Sequence, residues 1–292
     1  MITANGAIAV VDVRVLVARI VKGMMVKVTF QAMILVVLAG CGGERAADML
    51  HQGNEYLAKG DYSNAIRCLS ESIHLKPDLA VAYIHRGVAY YDQRQLRNAT
   101  EDFSEAIRLN PKDPDSYNNR GVTYLGMGQY KKAIDDLSMA ITLKPDNVDT
   151  YANRAVAFEY LQDFDSAIQD LSTSISLDPD RVSAYDHRGS LYFKRQKFEK
   201  AVKDLSAVIR IAPQNASAYS HRGLIYQQQG HLDRAIADYA MAIQFSPNEA
   251  LYHAQRGSAY RERGDDSKAD ADLAEAEALR KQPVNQNEQP PR

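Results

Sequence analysis

The side chains of this sequence that are best suited to bind a ligand recur at one place in a 34-residue period. They are imidazoles and carboxamides, namely His51, His85, Asn119, Asn153, His187, His221 and Gln255. Such groups donate and accept hydrogen bonds without a fixed charge, which suits a peptide backbone or polar side chains. A metal would need several of them within about 2.1 Å of one ion, whereas packed helices lie about 8–10 Å apart. The spacing therefore predicts a ladder of hydrogen-bonding groups and no metal site, although side chains that only face solvent would give the same pattern.

The other reactive residue types give no sign of catalysis. Of the two cysteines, Cys68 lies where a helix is expected to pack and is predicted to be a small buried residue. The sequence contains no paired-cysteine metal motif, phosphate loop, nucleophile elbow or HExxH helix. We therefore predict no enzyme, no cofactor and no small-molecule substrate. A regulatory subunit or cryptic enzyme would require clustered titratable groups, which the period does not provide.

The charge balance argues against nucleic acid as a partner. Lysine and arginine together number 35 and aspartate and glutamate 37, so the formal net charge is −2. Proteins that bind nucleic acid neutralise phosphates with a basic patch or stripe. We therefore expect a partner that is recognised by shape and hydrogen bonding.

Six prolines mark the period, each 34 residues from the next: Pro77, Pro111, Pro145, Pro179, Pro213 and Pro247. Units aligned on these prolines start at Ala46, Ala80, Pro114, Val148, Val182, Ala216 and Ala250. Seven units then fill residues 46–281. A unit of this length is too small to bury a core alone and must stack on its neighbours. The sequence therefore predicts a stacked array whose function lies in a surface.

Small residues recur inside each unit and predict two closely packed helices. The eighth position is glycine except in the fourth unit, where Ala155 stands, and the twentieth position is always alanine. Glycine in a helix costs about 1 kcal/mol relative to alanine, so its recurrence needs a compensating contact. We expect each glycine to admit the alanine of the partner helix. The turn between the paired helices is marked by Gly60, Gly128, Gly230 and Gly264, and the proline ends the second helix.

The second unit resembles the tetratricopeptide repeat in Tyr83, Arg86, Gly87, Tyr90, Ala99, Phe103 and Pro111. The resemblance covers residues 46–281 and implies an all-α fold, a right-handed α-solenoid of seven antiparallel helix pairs. It also implies that the sixth position of each unit, together with Asn54, faces a concave groove. That groove would bind a protein or peptide partner.

Some members of this family bind a terminal carboxylate through lysines and asparagines. Asparagine-type places are occupied here by Asn54, Asn119 and Asn153. The fifth position, where the first lysine is expected, instead carries Leu50, Ile84 and Asn118. We therefore expect no carboxylate clamp of that kind. Three aromatic residues just beyond the eleventh position either line the inner wall or pack between helices: Tyr91, Tyr160 and Phe193.

An arginine and an aspartate occur together in units two to seven. The predicted pairs are Arg86 with Asp102, Arg120 with Asp136, Arg154 with Asp170, Arg188 with Asp204, Arg222 with Asp238, and Arg256 with Asp272. The first unit lacks both partners and carries Gln52 and Cys68 instead. This joint loss predicts an ion pair within each unit that bridges its two helices. The alternative is that the arginine and the aspartate are two independent preferences for surface residues and form no ion pair. Exposed ion pairs are often worth less than about 1 kcal/mol, so little would favour their pairing at a surface.

The C-terminal end of the array differs from the other units. Asp266, Asp270 and Glu277 replace residues that are apolar elsewhere, which predicts a polar capping helix. Residues 282–292 are polar and rich in proline and are expected to be disordered.

The N-terminal segment is typical of a secretory leader. Lys22 and Lys27 precede an apolar run over residues 28–39, which is shorter than the ~20 residues that span a bilayer. Leu38, Ala39, Gly40 and Cys41 resemble the bacterial lipoprotein lipobox, which implies cleavage before Cys41 and its lipidation. We therefore predict a leader over residues 1–40 and a tether over 41–45. Residues 1–23 are interpreted as an overlong start, and an uncleaved anchor remains the alternative.

Together these features predict a membrane-tethered scaffold of the bacterial envelope. In lipoproteins an aspartate after the cysteine implies retention at the inner membrane, and Gly42 stands there. The resemblance therefore implies the periplasmic face of the outer membrane, with a role such as pilus, secretin or other envelope assembly. The alternative is a soluble cytosolic chaperone-like or regulatory module of the same repeats.

Overall fold

The computed structural model describes residues 29–281, with side chains from residue 43 onward. The predicted leader up to residue 28, the side chain of Cys41 and the predicted tail 282–292 lie outside the described residues. Over the described range all regular structure is α-helical, and strands are absent. The all-α fold expected from the repeat pattern is therefore confirmed.

The helices follow one another with short connections. They are α1 Thr29–Ala58, α2 Tyr62–Leu75, α3 Ala80–Asp92, α4 Leu96–Leu109, α5 Pro114–Gly126, α6 Tyr130–Leu143, α7 Val148–Tyr160, α8 Phe164–Leu177, α9 Val182–Lys194, α10 Phe198–Ile211, α11 Ala216–Gln228, α12 Leu232–Phe245, α13 Ala250–Arg263 and α14 Asp266–Lys281.

The helices form two compact parts, an N-terminal part up to residue 111 and a C-terminal part from residue 112. In the N-terminal part α1 packs on α2 and α3 on α4, and α2 also contacts α3. In the C-terminal part the pairs are α5 with α6, α7 with α8, α9 with α10, α11 with α12 and α13 with α14. The second helix of each of these pairs contacts the first helix of the next. Each part is thus a solenoid-like stack of helix pairs.

Unit boundaries in the sequence coincide with helix ends. The first helices of units two to seven begin at the first residue of the unit, and the second helices of units one to six end two residues before the proline of the period. The first unit differs, because α1 is continuous from Thr29 to Ala58 and passes through Ala46. The segment predicted as a tether, residues 41–45, is therefore helical in its backbone.

The turns between paired helices need a left-handed backbone residue. Gly60, Gly128, Gly230 and Gly264 supply it with φ of 72°, 71°, 75° and 91°. Three units use another residue at this place, namely Arg94, Gln162 and Gln196, with φ of 61°, 61° and 55°. Side chains other than glycine adopt this conformation at a cost of about 1–2 kcal/mol, so the stacking of the units compensates for it.

The eighth-position glycines do allow close approach of the two helices, but the side chain nearest to each glycine is not that of the predicted alanine. A Cβ added to Gly121 would lie 2.7 Å from Cγ of Leu137, and one added to Gly87 would lie 2.7 Å from Cε1 of Phe103. The partner alanine contributes only its carbonyl oxygen, 3.4 Å away for Ala133 at Gly121. The glycine therefore makes room chiefly for the large side chain at the twenty-fourth position. The reason is that this side chain, and not the methyl group of alanine, crosses the space between the helices.

The last helix is polar on its outer side. Asp266, Asp270 and Glu277 of α14 are exposed, while Ala269 and Ala276 are buried. This arrangement is the one expected of a capping helix. No helix among the described residues has the length and apolar character needed to cross a bilayer.

Candidate functional site

The first helices that carry the candidate residues are held in place by the arginine and aspartate of each unit. In the fourth unit Nε of Arg154 donates to Oδ2 of Asp170 at 2.8 Å, and Nη2 donates to Oδ1 at 2.7 Å. Units two, three, five, six and seven form the same two-pronged pair. The carboxylate of Asp170 is 4% exposed, so this is a buried ion pair. The hydrogen bonds to the aspartate raise the pKa of the arginine, for example at Arg188.

The same arginines also contact the preceding unit. Nη1 of Arg154 donates to the hydroxyl of Ser138 at 2.9 Å, and the equivalent bonds join Arg86 to Ser70, Arg188 to Ser172 and Arg222 to Ser206. The guanidinium of Arg154 lies 5.9 Å from the ring of Tyr151 and 5.7 Å from that of Phe158, within reach of a cation–π contact. Each of these four arginines therefore orients the first helix against its own unit and against the one before.

Three adjoining cavities lie between successive first helices of the C-terminal part. Cavity I, of about 520 Å³, lies between α7 and α9 and includes Glu159, Tyr160, His187 and Lys194. Cavity II, of about 290 Å³, lies between α9 and α11, and cavity III, of about 370 Å³, lies between α11 and α13. Lys194 lines both cavity I and cavity II, and Leu224 lines both cavity II and cavity III. The three cavities therefore adjoin one another, and together they are called the groove.

Cavity I contains a charged network across two units. Nζ of Lys194 donates to Oε1 of Glu159, and Nε2 of His187 lies 2.5 Å from Oε2 of the same carboxylate. Burial raises the pKa of Glu159, but the hydrogen bonds from Lys194 and His187 outweigh it and lower the pKa overall. Glu159 is therefore ionised at neutral pH and holds two donors at the edge of the groove.

Cavity III is lined by polar side chains whose positions are fixed by hydrogen bonds to other residues. The hydroxyl of Tyr239 donates to Oε1 of Gln227 at 2.8 Å, and burial raises the pKa of Tyr239 and keeps it a neutral donor. Gln227 in turn donates to Oε1 of Glu262 at 2.5 Å. Oε1 of Gln255 accepts from the hydroxyl of Ser220 at 2.7 Å. These amides are preorganised, which lowers the entropy lost when they bind a ligand.

Three of the residues predicted for ligand binding lie in the groove. His187 lines cavity I, His221 lines cavity II and Gln255 lines cavity III. Asn153, on α7, instead donates to Oδ1 of Asn118 at 3.3 Å and lines none of the three cavities. Asn119 on α5 lines none of them either, and its backbone carbonyl accepts from the hydroxyl of Thr123 at 2.7 Å.

The remaining predicted residues belong to the N-terminal part. His51 is exposed, and its Nε2 lies 3.4 Å from the carboxylate of Glu55. Oδ1 of Asn54 and Nδ1 of His85 are buried atoms without a hydrogen-bond partner among the described residues. Buried polar atoms are nearly always hydrogen-bonded, so these two are exceptions, and their burial means that the structure does not present them to a ligand.

The burial of His85 predicts a measurable titration. Burial lowers the pKa of His85 below the usual 6.5. The unfolded chain then binds a proton more readily than the folded chain, so this contribution to the free energy of unfolding is full above about pH 6.5 and is lost as the pH falls through that value. NMR titration of the imidazole should show a midpoint below 6.5, and His85→Gln should remove part of the acid destabilisation. A midpoint above 6.5 would contradict the burial of this ring.

Several groove residues were not among those predicted for ligand binding, which came chiefly from the sixth position of each unit. Residues three and seven positions later lie on the same face of an α-helix. That rule adds Ser190, Leu224 and Ser258 at the ninth position and Lys194, Gln228 and Glu262 at the thirteenth. Phe193 and Gln227, at the twelfth position, also line the cavities but do not follow from the rule. Two of the three aromatic residues left open, Tyr160 and Phe193, do line cavities. Helical periodicity was therefore the signal that could have found most of the groove residues on the first helices.

Other kinds of site receive no support from the described residues. There, no group of three or more His, Cys, Asp or Glu residues is placed to hold a metal ion. Cys68 is 1% exposed and is free, which confirms its interpretation as a small buried residue.

Stacked helix pairs with an inner groove define a repeat protein of the α-solenoid class. Family models described as tetratricopeptide or TPR repeats match residues 53–94, 89–128, 114–147, 148–181, 189–230 and 216–249. Together these matches cover more than half of the chain. The chain therefore belongs to the tetratricopeptide-repeat family.

Solved structures of other repeat proteins are similar to this chain in fold. A tetratricopeptide repeat protein from Parabacteroides merdae is 20% identical with a TM-score of 0.61, covering 81% of this chain and 94% of its own. PilF of Pseudomonas aeruginosa is 18% identical with a TM-score of 0.61, and the match covers 72% and 96%. YrrB, described as having an unusual peptide-binding site, is 20% identical with a TM-score of 0.55, covering 63% and 95%. The comparison with curated proteins gave no match.

Proposed function

We propose that this protein is an interaction scaffold that binds an extended peptide segment of another protein along the groove of cavities I to III. The observation that carries the proposal is that the three cavities adjoin one another, since Lys194 lines both cavity I and cavity II and Leu224 lines both cavity II and cavity III. Tetratricopeptide repeats are an interaction fold, and the groove offers donors, acceptors and apolar walls. We therefore assign the groove a role in recognition.

The dimensions of the groove suit an extended chain. Neighbouring packed helices lie about 8–10 Å apart, and an extended peptide rises about 3.3 Å per residue. The first helices that border successive cavities make few contacts with one another, so they lie at least this far apart, and successive cavities would receive side chains about three or more residues apart. The held amides of Gln227 and Gln255 can bond the peptide backbone between them. The peptide-binding site described for YrrB is further support for this class of ligand.

Photo-crosslinking in whole cells tests the proposed function. A photoreactive amino acid at His187 or Gln228, on the groove, is expected to capture the same partner protein. The matched control is Lys203, an exposed residue of α10 that lines none of the three cavities. Equal capture of that protein from Lys203 would count against recognition in the groove.

We further propose that the scaffold is tethered to a membrane by lipid on Cys41. The support is the lipobox-like Leu38, Ala39, Gly40 and Cys41 after an apolar segment. Acyl chains on one cysteine would hold the protein at a bilayer without crossing it, because each buried methylene contributes about 0.8 kcal/mol. With Gly42 after the cysteine, we propose the periplasmic face of the outer membrane and a role in envelope assembly, such as that of pili or secretins.

Fractionation tests the tether. Cys41→Ser is expected to move the protein from the membrane fraction to the soluble fraction, because the acyl chains provide the attachment. Cys68→Ser, a change of the other cysteine, should leave it in the membrane fraction. Mass spectrometry should find diacylglycerol on Cys41. A soluble wild-type chain with an unmodified Cys41 would instead support the soluble cytosolic module.

A further inference from the structure

Cavity II differs chemically from the cavities on either side. Its walls are apolar and are formed by Phe193, Leu205, Leu224 and Ile225. The neighbouring cavities carry the charged network of Glu159 and the amides described above. An apolar opening between two polar ones on a single groove is suited to one apolar side chain of a bound peptide.

The origin of cavity II is a loose contact in the fifth unit. A Cβ added to Gly189 would lie 3.5 Å from Cβ of Asp204 and 3.6 Å from Cγ of Leu205, which is ordinary van der Waals distance. In the third unit the corresponding distance from Gly121 to Cγ of Leu137 is 2.7 Å. The leucine of the fifth unit therefore stands farther from its glycine, and both Gly189 and Leu205 line the cavity.

The size of cavity II suits a single large side chain. An apolar cavity on the order of 150 Å³ holds benzene, so about 290 Å³ has room for an aromatic or branched aliphatic side chain.

Cavity II has a cationic side chain, that of Lys194, among its lining residues. Lys194 and His221 line the cavity, and no carboxylate is among its lining residues. His221 is already near an acid, since its Nδ1 lies 3.9 Å from Oδ1 of Asp186. Lys194 is about half exposed, and its partner Glu159 keeps a second donor in His187. Lys194 can therefore turn to a ligand carboxylate while Glu159 remains hydrogen-bonded.

We propose that cavity II is the anchor of the groove and binds a leucine, isoleucine, methionine or phenylalanine of an extended peptide, with a neighbouring aspartate or glutamate paired to Lys194. This inference rests on the proposed function and names the chemistry of its ligand. Charge complementarity at Lys194 and the apolar walls of cavity II together select this occupant. A fully buried anchor of this kind supplies much of the affinity of a small interface.

Selection from a displayed library of random linear peptides tests the assignment, with the full-length chain as target. Enriched peptides should carry one such apolar residue with an acidic residue within two positions. Changing the apolar residue to alanine should weaken binding to the wild-type chain about tenfold or more. The same change should cost less than about threefold with Leu224→Gln, because the polar wall has already removed the anchor site.

Two exposed substitutions keep the test independent of folding. Lys194→Gln should weaken the enriched peptides and remove the preference for the acidic residue, whereas Lys203→Gln should not. Leu177→Gln is the control for Leu224→Gln, since Leu177 is an exposed leucine of α8 outside the three cavities. Circular dichroism melts should show that all four variants are folded.

The outcomes separate the two proposals. Enriched peptides that compete with one another for the groove but lack an apolar residue would contradict the anchor assignment. Peptides whose binding is unchanged by Leu224→Gln and Lys194→Gln would contradict it as well. Either result would remain consistent with the proposed scaffold function. Failure to enrich any peptide would overturn both. A fatty acid that copurifies with the wild-type chain and is lost from Leu224→Gln would show that cavity II takes an acyl chain and would overturn the peptide assignment.

Discussion

Asp170→Ala is expected to lower the free energy of unfolding by about 3–5 kcal/mol, because it leaves the guanidinium of Arg154 without its partner in a largely buried site. Urea unfolding followed by circular dichroism would measure the loss. Since stability in a repeat array is a sum over units and their interfaces, the loss should appear in the transition that includes the fourth unit. Hydrogen exchange in α7 and α8 would locate it there.

The control for this prediction is an exposed ion pair on the same helix. Asp165 lies 3.0 Å from Arg195 with its side chain 73% exposed, so Asp165→Ala should cost less than about 1 kcal/mol. Replacing both buried partners, as Arg154→Met with Asp170→Leu, should recover much of the loss because no charge is left unpaired. Equal losses for Asp170→Ala and Asp165→Ala would show that the buried pair contributes no more than a surface pair.

The same substitution at two glycines is expected to give opposite results. Gly121→Ala places a methyl group 2.7 Å from Cγ of buried Leu137, and overpacking of this kind costs about 1–3 kcal/mol even after some relaxation. Gly189→Ala meets nothing closer than 3.5 Å and should stabilise α9 by up to about 1 kcal/mol through helix propensity. The two variants should therefore differ by about 2–3 kcal/mol in urea or thermal unfolding.

This pair of variants also tests the origin of cavity II. Gly189→Ala fills little of the cavity and should leave peptide binding within about threefold of the wild type. Destabilisation of Gly189→Ala to the extent seen for Gly121→Ala would mean that the fifth unit is packed as tightly as the third. The cavity would then need another explanation.

The local pattern of the sequence determined the helix pair and its boundaries. The glycine, the alanine and the proline act within one unit, where the residues that meet are close along the chain. For the same reason the arginine and aspartate could be paired from the sequence, since they lie 16 residues apart on the two helices of one unit. Their joint absence from the first unit carried the inference. The sequence did not predict the hydrogen bond from the arginine to a serine, such as that from Arg154 to Ser138, because the serine belongs to the preceding unit.

The groove was only partly predictable. The sixth position pointed to the correct face of the first helices and found His187, His221 and Gln255. It did not predict that Asn153 is hydrogen-bonded to Asn118, or that Lys194 and His187 are both hydrogen-bonded to Glu159. These contacts join residues of different units, and their geometry depends on how each unit stacks on the next.

The same glycine and leucine pair packs at different distances in two units, and the sequence alone could not predict this difference. Gly121 and Leu137 have the same spacing along the chain as Gly189 and Leu205. A Cβ added to Gly121 would lie 2.7 Å from Cγ of Leu137, whereas one added to Gly189 would lie 3.6 Å from Cγ of Leu205. The separation of two helices is set by all the side chains between them and by the units on both sides. The sequence by itself therefore determined a stack of helix pairs with an inner face, and only the tertiary structure decided where that face opens into an apolar cavity.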